Sequence, residues 1–194
     1  MAKKNLKLHA VVAPAQTVIV SAYDEDGKPD ACTLAFYTMS SHKPPCVTIA
    51  INATARRKTL KSILSSGAFV VGYPGTNQVK EADYLGVESG YNVDKLEKIG
   101  LGQCVHAPVI NELLLSLECK VVHQVTIGSH TQITGEIKNI QADESILNDK
   151  DKILLNELKP IIYDEESFSY YELGDTVADA FKTGAEFKKS FINN

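Results

Sequence analysis

Arg56, Arg57 and Lys58 stand side by side in this chain, and Thr59 follows directly. These are residue types that bind a phosphate. Guanidinium groups offer paired N–H donors, an ammonium a point charge, and a hydroxyl one more hydrogen bond. Before them, Cys46-Val47-Thr48-Ile49-Ala50-Ile51-Asn52 is short, β-branched and apolar, the pattern of a buried strand. After them, Leu60, Ile63 and Leu64 recur at helical spacing, with Thr59 placed to cap the helix. Gly67 stops that helix ahead of a second apolar strand at Ala68-Phe69-Val70-Val71. The cations therefore fall where a strand ends and a helix begins, and the N–H groups and dipole of a helix start attract anions. The competing reading is a solvated basic loop with no ligand, as many charge clusters are.

The other reactive side chains are scattered. Cys32, Cys46, Cys104 and Cys119 form no C-x-x-C pair and stand in apolar or strand-like sequence, so buried reduced thiols are expected, not a zinc site or redox dithiol. Cys104 and His106 flank Val105, but one thiol–imidazole pair is weak ground for a catalytic couple. His9, His42 and His106 show no ligand spacing, so no metal is expected.

Composition narrows the class. The 194 residues suit a single domain with a sizeable core. Apolar content of 44% and charged content of 23% are ordinary for a globular chain. A formal net charge of −4 argues against general affinity for nucleic acid. No apolar run approaches a membrane span, and no long apolar run follows the basic residues near the N-terminus, so a cytoplasmic protein is expected.

The elements that must position the cations are mostly strands. Residues 17–23 read as a strand, Asp26-Gly27 as a hairpin turn, and residues 31–38 as the return strand. Residues 39–45, with Pro44 and Pro45, read as a loop because two N–H donors are missing. Residues 79–84 and 93–99 read as short helices, with Asn77 a candidate cap. The glycine-punctuated excursion between them reads as a binding loop or lid. Residues 113–127 alternate with period two, Gly128-Ser129 turns them, and residues 130–142 return. Residues 145–158 read as mostly helix, 160–163 and 168–173 as strands, and 175–182 as a helix. Tyr170 and Phe181 of the aromatic C-terminal stretch are expected in the core. Strands joined by turns, without a G-x-G-x-x-G, suggest a closed antiparallel barrel and disfavour a Rossmann domain.

Several pieces together resemble one family. Gly27-Lys28-Pro29-Asp30, Pro44-Pro45, Arg57-Lys58-Thr59, Gly67-Ala68-Phe69-Val70-Val71, Ser89-Gly90, Val93-Asp94-Lys95-Leu96, Ala107-Pro108-Val109-Ile110, Leu117-Glu118-Cys119-Lys120 and Gly128-Ser129-His130-Thr131 follow the order and spacing of the flavin reductase-like, flavoredoxin-type proteins. The resemblance implies a mainly β, antiparallel split β-barrel of Greek-key, FMN-binding type with short inserted α-helices. One domain would cover residues 1–194, with the barrel at about 11–174 and a C-terminal helix and tail at 175–194. It implies FMN with its phosphate at Asn52, Arg56, Arg57, Lys58 and Thr59. The backbone of Ala35, Phe36, Tyr37 and Thr38, and of Ala50 and Ile51, would lie along the isoalloxazine. Ser89, Tyr91 and Lys95 on the excursion become candidates to reach the cofactor, and His130 a candidate polar group at the active face. It also implies NADH or NADPH as electron donor, a homodimer with flavin near the interface, and in some members a redox protein partner. The leading expectation is an NAD(P)H-dependent flavin reductase. The alternatives are an electron carrier with permanently bound FMN and a non-catalytic barrel. The chain departs from the family at Asp30, where Asn is frequent, and at Ser129, where the turn carries Asp.

Overall fold

The computed structural model describes residues 2–8, 14–96 and 100–192. In chain order the strands are β1 (Ala15–Gln16), β2 (Val18–Tyr23), β3 (Pro29–Leu34), β4 (Tyr37–His42), β5 (Pro45–Asn52), β6 (Ala68–Gly72), β7 (Gly100–Leu101), β8 (Pro108–Val109), β9 (Leu115–Ile127), β10 (His130–Ala142), β11 (Ile161–Asp164) and β12 (Ser169–Glu172). The helices are α1 (Lys58–Ser66), α2 (Val79–Val87), α3 (Leu155–Leu158) and α4 (Lys182–Ile192). Seven strands form one antiparallel sheet in the order β3-β2-β6-β9-β10-β5-β4. A smaller sheet, β1-β11-β12, lies beside it. The large sheet is not closed: β3 and β4 are its two edges. The closed barrel expected from the strand pattern is thereby corrected to an open, split one. None of the described helices is long and apolar enough to cross a membrane.

The core follows from alternation. On β2, Val18, Val20 and Ala22 join the main cluster with Val47, Ile49, Ile51, Phe69, Val71, Cys119 and Ile133. Ile19 turns the other way, into a second cluster with Ala82 and Leu85 of α2 and with Ile161. Both faces of β2 are covered, and all six of its residues are buried. Gly135 lets the fully buried Phe69 ring in, since a Cβ there would collide with it. Each large core side chain of this kind contributes roughly 1.5–3 kcal/mol. Gly67 ends α1 in the left-handed region (φ 69°), its N–H donating to Ile63 O.

Six expectations are corrected. The return strand breaks at Ala35-Phe36 into β3 and β4. Residues 39–42, expected as loop, continue β4, because the prolines stand at the turn and at the first position of β5, where no ladder donor is lost. Residues 145–158 hold only a 3₁₀ turn and the four-residue α3. Asn148 Oδ1 there accepts the N–H groups of Lys150 (2.9 Å) and Lys152 (3.1 Å), an arrangement that competes with helix. The last helix runs over Lys182–Ile192 instead of 175–182, and Phe181 just before it takes φ 67° and is 96% exposed instead of buried. Residues 93–96 form no helix, and 97–99, like residues 11–13 at the expected barrel start, lie outside the described residues.

Candidate cofactor site

The break between β3 and β4 opens a cleft of about 190 Å³ at one end of the sheet. Thr33, Leu34, Ala35 and Phe36 form one wall, and Ala50, Ile51 and Asn52 of β5 another. Arg57, His130, Tyr163 and Glu165 complete it. A second cleft, about 280 Å³, shares Thr33, Leu34, Ala35 and Tyr163 with the first and continues to Asp83, Gly86, Val87, Phe168 and Tyr170. Together they fall within the ~300–1,000 Å³ typical of small-molecule sites. A larger cavity, about 470 Å³, lies between α2 and residues 110–113. Of the expected site residues only Lys95 reaches it, so the expected chemistry and this hollow are in different places.

Local rules place each group. Asn52 ends β5, and its Oδ1 accepts from Thr54 N (2.9 Å), Thr54 Oγ1 (2.7 Å) and Ala55 N (3.0 Å), which turns the chain sharply. Arg56 then takes φ 48° and Arg57 is the N-cap of α1. No side chain caps this helix start and no acid stands in its first turn, so the N–H groups there remain open to an anion. Among the described residues no ion pair engages Arg56 or Arg57.

Lys58 and Thr59 are engaged elsewhere. Lys58 Nζ lies 2.9 Å from Asp24 Oδ2. Burial pushes the Asp24 carboxyl up, but Lys58 and the N–H groups of Lys28 and Asp26 outweigh it and hold it below the usual carboxylate range. Thr59, expected as the N-cap, lies inside the first turn instead. Its buried hydroxyl donates to Asp30 Oδ2 at 2.6 Å, because Arg57 has taken the cap position.

Phe36, at the break, and Tyr37, the first residue of β4, point to opposite sides. Phe36 faces the cleft with its ring 5.1 Å from that of His130. Tyr37 faces inward, edge-on to Tyr73 at 5.9 Å with the two hydroxyls hydrogen-bonded, and burial raises both phenols. Thr38 is exposed on the edge strand, its hydroxyl donating to Met39 O (3.2 Å). His130 pairs with Asn52 across β10 and β5, and its Nδ1 meets Ser129 Oγ at 2.9 Å. The hydroxyl of Ser129 thus engages the imidazole without a carboxylate.

The family model of the flavin reductase like domain matches residues 12–171. The chain belongs to this family. The flavoredoxin of Desulfovibrio vulgaris (Miyazaki F) is 32% identical with a TM-score of 0.88, over 94% of this chain and 100% of that one. The flavoredoxin from Methanosarcina acetivorans is 27% identical with a TM-score of 0.91, over 96% and 100%. A reductase component of 4-nitrophenol 4-monooxygenase/4-nitrocatechol 2-monooxygenase from Rhodococcus opacus is 25% identical over 126 residues, 65% of this chain and 64% of that protein.

In this family member the glycine-rich excursion is fastened to the barrel through Asp30, a role not visible in the sequence. Lys95 Nζ lies 3.2 Å from Asp30 Oδ1, both side chains only 2% exposed. Lys95 also donates to the carbonyls of Ala31 and Glu88 (3.3 Å to the latter), so its three donors are matched. Gly90 packs so closely on Asp30 that a Cβ would strike the carboxylate. Ser89 caps the local turn, its Oγ accepting from Tyr91 N at 3.4 Å, and lines neither cleft wall.

The second buried acid is Glu118 on β9. Its Oε2 accepts from the N–H groups of Gln103 (2.7 Å), Cys104 (2.7 Å) and Val105 (3.2 Å), and its Oε1 from Asn139 Nδ2 and Gln141 Nε2, both 2.7 Å. Burial pushes this carboxyl up, but the five donors outweigh it and the net shift is downward. Cys104, expected to be buried, is exposed on the loop that Glu118 holds, and His106 stacks on Tyr23 at 4.8 Å.

Proposed function

We propose that the cleft binds FMN and that the chain is an NAD(P)H-dependent flavin reductase. The observation that carries this reading is convergence: Ala35, Phe36, Ala50, Ile51, Asn52 and Arg57, from separate elements, line one cleft in a flavin reductase-like fold. The residues suit the group. Arg57 and the uncapped start of α1 match a phosphate, with Arg56 beside them adding positive charge. The backbone at the β3–β4 break and along Ala50, Ile51 and Asn52 offers N–H and C=O groups to a heterocycle. Phe36 against His130 supplies a flat wall. FMN, when bound, supplies the hydride chemistry itself. The chain's own residues position and orient: Asn52 shapes the turn that carries the arginines, Lys58 steadies the start of α1 through Asp24, and Lys95 fastens the excursion. Steady-state oxidation of NADH or NADPH, stimulated by added FMN, is the expected result; no oxidation with either nucleotide, with or without FMN, refutes the reductase reading.

Similarity to two flavoredoxins favours a second reading, an electron carrier in which FMN stays bound through gel filtration and is reduced by a redox protein instead of NAD(P)H. Colourless protein that leaves FMN fluorescence unquenched would instead mark a non-catalytic barrel. We further propose a homodimer working in the cytoplasm. Val122, Val125 and Ile127, exposed on the outer half of β9, support the dimer as apolar surface for a second copy. A monomer in sedimentation at working concentration would oppose it.

A further inference from the structure

Arg57, Lys58 and Thr59 begin α1, and acids of the β2–β3 hairpin hold two of the three. Lys58 meets Asp24 in the hairpin turn, and Thr59 donates to Asp30 Oδ2 of β3 at 2.6 Å. The two acids differ in their surroundings. Lys58 and Asp24 reach solvent at 14% and 19% exposure, whereas Asp30 and Lys95, 3.2 Å apart, are each only 2% exposed. Charges that meet water are screened, and charges sealed from it are screened much less. Asp30 is one hydrogen bond from the side chain of Thr59, and the N–H of Thr59 is among the first-turn donors that an anion at this helix start takes. The path from that N–H through Oγ1 to the carboxylate is short, which puts Asp30 within about one Debye length (~8 Å at physiological salt) of such an anion. Burial pushes the Cys32 thiol up, and Lys95, Asp30 and Arg57 all act on it electrostatically, so the three charges stand within reach of one buried sulfur. Left uncompensated, Asp30 would repel the anion that Arg57 attracts.

We infer that Lys95 is a positioning residue for the phosphate group: it neutralises Asp30 behind the first turn of α1, keeps that turn attractive to an anion, and so sets how strongly the site prefers FMN to riboflavin. The inference rests on the flavin reading of the cleft and deepens it. Lys95 has no donor left for a ligand, because Asp30 and the carbonyls of Ala31 and Glu88 take all three. Its action on the site therefore runs through Asp30, from an excursion distant in sequence from α1. Riboflavin carries no charge for this pair to act on, so the effect belongs to the phosphate.

The test titrates FMN and riboflavin by fluorescence into four flavin-free proteins: wild type, Lys95→Met, Asp30→Asn and the double variant. The two single variants are expected to move FMN in opposite directions. Lys95→Met leaves Asp30 unneutralised and should weaken FMN about fivefold or more. Asp30→Asn leaves Lys95 unneutralised and should tighten FMN by a similar factor, while its amide oxygen still accepts from Thr59. The double variant should return to within about twofold of wild type, because the two changes act through one pair. Riboflavin should bind all four proteins almost equally. A merely structural role weakens both flavins wherever the pair is disturbed and tightens neither. FMN unaltered in Lys95→Met, FMN unaltered or weakened in Asp30→Asn, a double variant as weak as Lys95→Met, or riboflavin shifted as far as FMN overturns the role of Lys95 while leaving the flavin cleft standing. If Lys95→Met does not fold, the sign of the change in Asp30→Asn decides. Wild-type protein that binds FMN no better than riboflavin overturns the phosphate reading and the inference with it.

Discussion

Glu118 and Glu165 are the same chemical group in opposite circumstances. Glu118 is fully buried and receives five hydrogen bonds, three from the backbone of one loop and two from side-chain amides of β10. Glu165 is only half-buried, yet one of its oxygens receives none. Depth alone does not decide how completely an acid is bonded. Asp30 stands with Glu118, since Lys95 and Thr59 between them satisfy both of its oxygens. The same contrast divides the basic cluster, where Lys58 and Thr59 are matched by acids of the fold, while Arg57 lines the cleft and no ion pair among the described residues engages Arg56 or Arg57.

If that division is right, removing a partner of a satisfied acid should damage the fold most. Lys95→Ala strands a buried aspartate and is expected to cost about 3–5 kcal/mol in urea unfolding. Adding Asp30→Asn to it should recover part of the loss; a double variant no better than the single would break the pairing argument. Glu118→Gln comes next, at about 1–3 kcal/mol, because a neutral amide holds the three loop N–H groups less well. The Glu118 carboxyl is held below its unfolded value, so its stabilisation is present above that value and is lost as pH falls through the folded one. Wild-type stability should therefore fall below about pH 4, and Glu118→Gln should flatten that acid limb. Parallel acid limbs in the two proteins would contradict the assignment. Lys58→Ala should be smaller, about 1 kcal/mol at most, with FMN affinity nearly unchanged because its ammonium already meets Asp24. Thr38→Ala should be smallest, within about 0.5 kcal/mol, with no change in flavin titration. A loss of affinity there would put the edge strand into the site.

Much of this was legible where neighbours in sequence are neighbours in space. Period two along residues 115–127 marked β9, and the strand–cation–helix order put the basic cluster between β5 and α1. What escaped depends on contacts between distant segments. Asp30 looked like a turn residue and Lys95 like a loop cation, and only the folded chain brings them together. Glu118 occupied a position of the alternating strand that read as outward-facing, but the loop of residues 102–107 covers it. Thr59 was displaced from the cap by two residues, because Arg57 takes the extended conformation that precedes α1. Residues 145–158 carried helix-forming side chains, and the Asn148 carbonyl outcompeted the helix locally.

The central claim is that Arg57 and the start of α1 hold the phosphate of a flavin whose ring lies along the β3–β4 break. Fluorescence titration of FMN and riboflavin into wild-type protein and Arg57→Ala tests it most directly. The account predicts that FMN weakens roughly tenfold or more in the variant, the loss of a charge-assisted contact of ~1.5–3 kcal/mol, while riboflavin binds both proteins almost equally. Equal FMN affinity in the two proteins, or a wild-type protein that quenches neither flavin, would contradict it.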